Sequence, residues 1–130
     1  MKPRVLVAEH SVVVAKIIAG CLEKAGCEVV GICYDGSSAL EKARLLRPDV
    51  VTFDLILPRL SGLQMAASLK RFEIAPTMMV ISAVTSRSRI AAAKTLGVRY
   101  YVLKAVDAGK LTQLATGLVR ELQNSPKIAS

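Results

Sequence analysis

Five short apolar runs, rich in Val, Ile, Phe and Tyr, recur along the chain with a helix-patterned segment after each one. They are Arg4–Ala8, Glu28–Cys33, Val50–Phe53, Met78–Ile81 and Tyr100–Leu103. Runs this short, and apolar at successive positions, suit strands buried on both faces. After the first run, Ser11 offers an N-cap. Val13, Ile17, Ile18, Cys21 and Leu22 then follow at helical spacing until Gly26 closes the helix. Ser38 and Glu41 resemble a capping box for a helix reaching about Leu46, and Pro48 prevents its continuation. A loop from Asp54 to Ser61 precedes a helix over Leu63–Phe72. Helices over Ser86–Leu96, closed by Gly97, and Ala108–Gln123 complete the series. Such alternation predicts an α/β fold with a doubly wound, five-stranded parallel sheet. Its predicted core is Val5, Val7, Val50, Val51, Phe53, Val80, Ile81 and Val102.

At 130 residues the chain has room for one domain, read here as 1–123, followed by a polar tail or truncated linker at 124–130. No apolar stretch approaches the ~20 residues that span a bilayer. The N-terminus runs into a strand with no signal-peptide core, so no membrane partner and a cytoplasmic location are expected. Cys21, Cys27 and Cys33 form no CxxC pair and read as small apolar residues. The formal net charge is +8, with the closest basic grouping at Arg87, Arg89, Lys94 and Arg99. Three Tyr and two Phe provide no stacking platform, so nucleic acid is not expected as a partner. Solvated surface and an acidic or phosphate-bearing partner both remain open for these cations.

Right-handed crossovers bring the strand C-termini to one edge, where ligands of such sheets sit. The residues leaving the strands are Glu9 and His10, then Asp54, Ser82 and Lys104, with Tyr34 and Asp35 near the end of the second. Singly, each is an ordinary turn or cap residue. Together they have complementary chemistry. Carboxylates hold a hard cation and can attack phosphorus, and a hydroxyl and an ammonium can neutralise the transferring group.

The chain resembles response regulator receiver domains from Arg4 to about Leu122. The segment from Pro48 to Gly62 looks like the family's phosphoacceptor strand and loop. Val80-Ile81-Ser82-Ala83 looks like its switch-hydroxyl motif, and Gly97 to Lys104 like its last strand. The resemblance implies a flavodoxin-like (βα)5 fold of strand order 2-1-3-4-5. It implies that Asp54 is the phosphoacceptor, and that Glu9, Asp54 and the backbone carbonyl of Ile56 hold Mg²⁺. Ser82, Ala83 and Lys104 would contact the phosphoryl group, with Ser82 and Tyr101 as the switch. The implied partners are a sensor histidine kinase or phosphotransfer protein and a downstream output protein or domain. No catalysis on a diffusible substrate is implied. Arg59 and the Ser11–Val14 segment are similar to chemotaxis methylesterase receivers.

Two positions depart from the family. His10 stands where a second acid is usual, so Mg²⁺ binding is expected to be weak. His10 could be a spectator, the mark of a pseudo-receiver that signals without phosphorylation, or a ligand for a softer metal. Lys104 is followed by Ala105 rather than Pro, so a trans bond or a looser loop is expected. The rival function is a phosphorylation-independent interaction module whose basic surface binds an acidic protein or anionic nucleotide.

Overall fold

The structure is a computed structural model that describes residues 1–124. The expected tail therefore lies, apart from Asn124, outside the described residues. The elements are β1 (Arg4–Ala8), α1 (Val12–Lys24), β2 (Glu28–Cys33), α2 (Gly36–Leu46) and β3 (Val50–Phe53). There follow α3 (Gly62–Lys70), β4 (Thr77–Ser82), α4 (Arg87–Thr95), β5 (Val98–Leu103) and α5 (Ala108–Gln123). The sheet order is β2-β1-β3-β4-β5, with every pairing parallel. The expected doubly wound topology is thus the observed one.

Strand alternation splits the core into two layers. Leu6, Val51, Phe53 and Val80 pack with Ala39, Leu40, Met65 and Leu69 on one face. Val5, Val7, Val50, Met79 and Ile81 pack with Ile18, Leu22, Leu111 and Leu118 of α1 and α5 on the other. Of the predicted core, Val102 alone is half-buried, because β5 is an edge strand. Cys21, Cys27 and Cys33 are buried free thiols. Burial pushes Cys27 up to about 11, so its reactive thiolate is suppressed at neutral pH.

Caps set the helix boundaries. Ser11 caps α1 by accepting from Val14 N at 3.2 Å, and Gly26 follows in a left-handed conformation (φ 100). At α2 the expected Ser38–Glu41 box is corrected. Asp35 is the N-cap, accepting from Ser38 N at 2.7 Å and Ser38 Oγ at 2.8 Å. A carboxylate offers two acceptor oxygens and so captures both donors of Ser38. These bonds, the amide's first, hold its carboxyl below the usual range. The capping box lies instead at α3, where Ser61 and Gln64 bond reciprocally, so this helix begins one residue earlier than predicted, at Gly62.

Candidate functional site at the carboxyl edge of the sheet

Asp54 leaves β3 at the centre of the sheet, and the chain then turns sharply enough for Gly62 N to bond Leu55 O at 2.9 Å. A Cβ on Gly62 would collide with the backbone of Asp54 and Leu55, and one on Gly36 with the backbone of Leu60. Hydrogen atoms at these two positions let the loop pack against the backbone that leaves β3 and against the start of α2. Arg59, in the same loop, is left-handed (φ 68). No residue in this stretch is strongly patterned, so the two close approaches are invisible to periodicity.

The charges meet at Lys104. Its Nζ lies 2.7 Å from Asp54 Oδ2 and 2.5 Å from Glu9 Oε1. The Asp54 contact is a hydrogen bond, and the Glu9 contact is an ion pair. The remaining carboxylate oxygens accept from backbone amides, Asp54 Oδ1 from Ile56 N at 3.0 Å and Glu9 Oε2 from Ser11 N at 2.8 Å. Glu9 and Asp54 are buried, at 2% and 7% exposure, so each depends on these partners. Burial works against the Lys104 ammonium, but Asp54 and then Glu9 outweigh it and raise its pKa above the ordinary lysine value.

The Lys104–Ala105 bond is cis, which corrects the expected trans geometry. The side that precedes it is firmly held, because Lys104 N bonds Ser82 O at 3.0 Å while Nζ engages both acids. A looser loop would have let Lys104 drift from Asp54. It does not.

Ser82 is fully buried at the end of β4, and its Oγ accepts from Val84 N at 3.2 Å. Tyr101 donates its hydroxyl to Val84 O at 2.6 Å. Burial raises the Tyr101 phenol, with Asp54 adding to the rise, while a bond to Ser82 and the charge of Arg89 oppose it. Ala83 is exposed beside Ser82.

Glu9, Asp54 and Lys104 are thus brought together, and Ser82, Ala83 and Tyr101 adjoin them. His10 is exposed and makes no side-chain hydrogen bond among the described residues. Ile56 is exposed, with its amide on Asp54. Two carboxylates and a nearby backbone carbonyl make a hard oxygen donor set, which suits Mg²⁺ better than a softer metal. Among the described residues no group of three His, Cys, Asp or Glu could hold a metal ion, so such a cation would retain much of its water. Sequence reasoning did not anticipate the Glu9–Lys104 pair. Nor did it anticipate Thr52, a buried β3 residue whose hydroxyl has no hydrogen-bond partner.

No helix among the described residues is long and apolar enough to cross a membrane. Comparison with known proteins gives a consistent picture. The family described as response regulator receiver domain matches residues 5–116. A protein-glutamate methylesterase/protein-glutamine glutaminase of Myxococcus xanthus is 42% identical over 91 residues, covering 69% of this chain and 26% of that protein. Transcriptional regulatory protein PdtaR of Mycobacterium tuberculosis is 33% identical over 122 residues, covering 92% of this chain and 59% of its own length. The chain therefore spans only part of these relatives. Among solved structures, the receiver domain of the response regulator AraT from Geobacillus stearothermophilus superimposes with a TM-score of 0.85 at 28% identity. That match covers 95% of this chain and 97% of the AraT chain. Fold, edge cluster and family match agree, and the chain belongs to the response regulator receiver domains of two-component signalling.

Proposed function

We propose that Asp54 accepts a phosphoryl group from a sensor histidine kinase or phosphotransfer protein, and that the modified domain then changes its affinity for an output partner. The observation that carries this reading is the Lys104 ammonium bridging the buried Asp54 and Glu9 carboxylates. An Asp54 oxygen attacks phosphorus while the bond to the donor's histidine nitrogen breaks and its electron pair returns to the imidazole. Lys104, freed from the oxygen that becomes esterified, neutralises a phosphoryl oxygen in its place. The small Ala83 leaves room beside it. A Mg²⁺ held by Glu9, Asp54 and the Ile56 carbonyl would supply further positive charge to the transferring group. When the Ser82 hydroxyl turns to a phosphoryl oxygen, it leaves the amide of Val84, the residue whose carbonyl holds the Tyr101 phenol, and the populations of the α4-β5-α5 face shift.

The test is mass spectrometry of the protein after treatment with acetyl phosphate, with and without Mg²⁺. Wild type is expected to gain one phosphoryl group and Asp54→Asn none, and a comparable gain in Asp54→Asn overturns the assignment. His10 adds a prediction about the cation. Because it offers no oxygen ligand, Mg²⁺ binding is weak, and His10→Asp is expected to tighten it about tenfold in a titration, the effect of one added carboxylate.

His10 also favours a second reading, an interaction module that works without phosphorylation. Failure of acetyl phosphate and of any cognate phosphodonor to modify Asp54, with partner binding intact, would select it.

A further inference from the structure

The amino edge of the sheet carries a cleft of about 470 Å³, within the ~300–1,000 Å³ of small-molecule sites. It lies between the turn from α2 to β3 and the loop from α3 to β4. Asp49, which lines it, precedes β3, whereas Asp54 follows that strand. The extended chain between them spans about 16 Å, so the cleft is separate from the cluster at Lys104.

Backbone bonds fix the two walls to each other. Thr77 N donates to Asp49 O at 2.9 Å, and Asp49 N donates to Arg4 O at 2.8 Å. Pro48 and Pro76, both buried, stiffen the segments that meet there. The wall from the α3–β4 loop is apolar. Phe72 is half-buried and packs against the core while lining the cleft, and Ile74 beside it is 68% exposed.

The other wall is cationic. A residue before proline is disfavoured from continuing a helix, and Arg47 ends α2 in a left-handed conformation (φ 47). Arg44 and Arg47 line the cleft together and are exposed. Neither guanidinium has an ion pair or hydrogen bond among the described residues. The carbonyl end of a helix ordinarily repels anions, but here the Arg4 guanidinium occupies Leu46 O and Arg47 O. Of the two acids in the cleft, Asp49 accepts from Arg4 N, whereas Glu73 is exposed and unpaired among the described residues.

Two unused forks of N–H donors suit a phosphate or carboxylate, which guanidinium groups bind bidentately. Phe72 and Ile74 offer apolar surface to a flat ring, and Glu73 can accept from a hydroxyl or N–H on the same molecule. We infer that this cleft binds a small molecule with a flat ring, a hydrogen-bond donor and a terminal phosphate or carboxylate. A nucleoside monophosphate has this chemistry with phosphate, and an indole carboxylate has it with carboxylate. The inference does not rest on phosphorylation of Asp54.

The test is calorimetric titration of the full chain, without Mg²⁺, by adenosine 5′-monophosphate, adenosine, indole-3-acetate and inorganic phosphate. The monophosphate, the indole carboxylate or both are expected to bind about tenfold more tightly than adenosine and inorganic phosphate. The tighter of the two identifies the anion. Arg47→Gly, which suits the left-handed backbone and so keeps the fold, is expected to weaken binding about tenfold, and Arg44→Gln similarly. Lys42→Gln, which removes an exposed charge of α2 outside the cleft, should leave affinity unchanged. Amide NMR shifts on binding are expected at Arg47, Asp49, Glu73 and Ile74. Shifts centred on Asp54 and Lys104 would overturn the proposal, as would equal affinity for adenosine or for inorganic phosphate. So would a Lys42→Gln loss matching that of Arg47→Gly, or no binding of either ring-bearing anion at millimolar concentration.

Discussion

The two edges of the sheet use the same kinds of residue for opposite ends. At the amino edge, Asp49 spends its carboxylate on the backbone, accepting from Arg4 N at 2.8 Å. The Arg4 guanidinium closes the C-terminus of α2, donating to Leu46 O at 2.7 Å and Arg47 O at 3.2 Å. Both of these charges serve peptide groups. At the carboxyl edge, Glu9 and Asp54 are more deeply buried and share a single ammonium. An acid satisfied by the backbone is structure. Acids held by a movable cation are poised to exchange it for another group, and that difference separates the site from its mirror at the far end.

Three substitutions probe the comparison. The largest effect belongs to Gly62→Ala, whose methyl group must displace the backbone of Asp54 and Leu55. A stability loss of about 3 kcal/mol is expected in urea denaturation, the upper range for overpacking against an unyielding backbone. A loss near zero would show that the carboxyl edge tolerates a looser loop.

Next comes Lys104→Met, which leaves two buried carboxylates facing each other. The expected cost at neutral pH is about 2–3 kcal/mol, discounted from a fully buried pair because Lys104 retains some exposure. The deficit should shrink as pH falls, since protonating one acid relieves the repulsion. In wild type the sign runs the other way. Lys104 has a raised folded-state pKa, so its stabilisation is complete below the ordinary value of 10.5 and disappears as pH climbs through the folded value. Denaturation midpoints of both proteins across the pH range would reveal this. A deficit independent of pH would sink the ion-pair account.

The smallest effect is at the amino edge. Arg4→Ala removes two hydrogen bonds from carbonyls that water can partly reach, and about 1 kcal/mol is expected. It should be insensitive to pH between 5 and 9. If it exceeded Lys104→Met, the ranking of the two edges would be reversed.

The strands were legible because each is a compact apolar run, and from their order the edge on which Glu9, Asp54, Ser82 and Lys104 gather followed. Boundaries were less so. Asp35 outcompetes Ser38 as a cap because only three-dimensional geometry shows both Ser38 donors within reach of one carboxylate. The Ser61–Gln64 box is present in the sequence but stands beside the more prominent breakers Pro58 and Gly62. The contact of Lys104 with Glu9 joins residues at opposite ends of the chain, and no local pattern encodes it. Nor does any encode the cis bond at Ala105.

The strand order β2-β1-β3-β4-β5 places Glu9 and Asp54 after interior strands and Lys104 after an edge strand. Amides of interior strands exchange with solvent mainly through global unfolding, whereas an edge strand can open locally. The cluster therefore straddles two regimes of exchange protection. A brief opening of β5 would carry the ammonium and the Tyr101 phenol away while the carboxylates kept their places, and deuterium uptake in Val98–Leu103 ahead of Val50–Phe53 would be its signature.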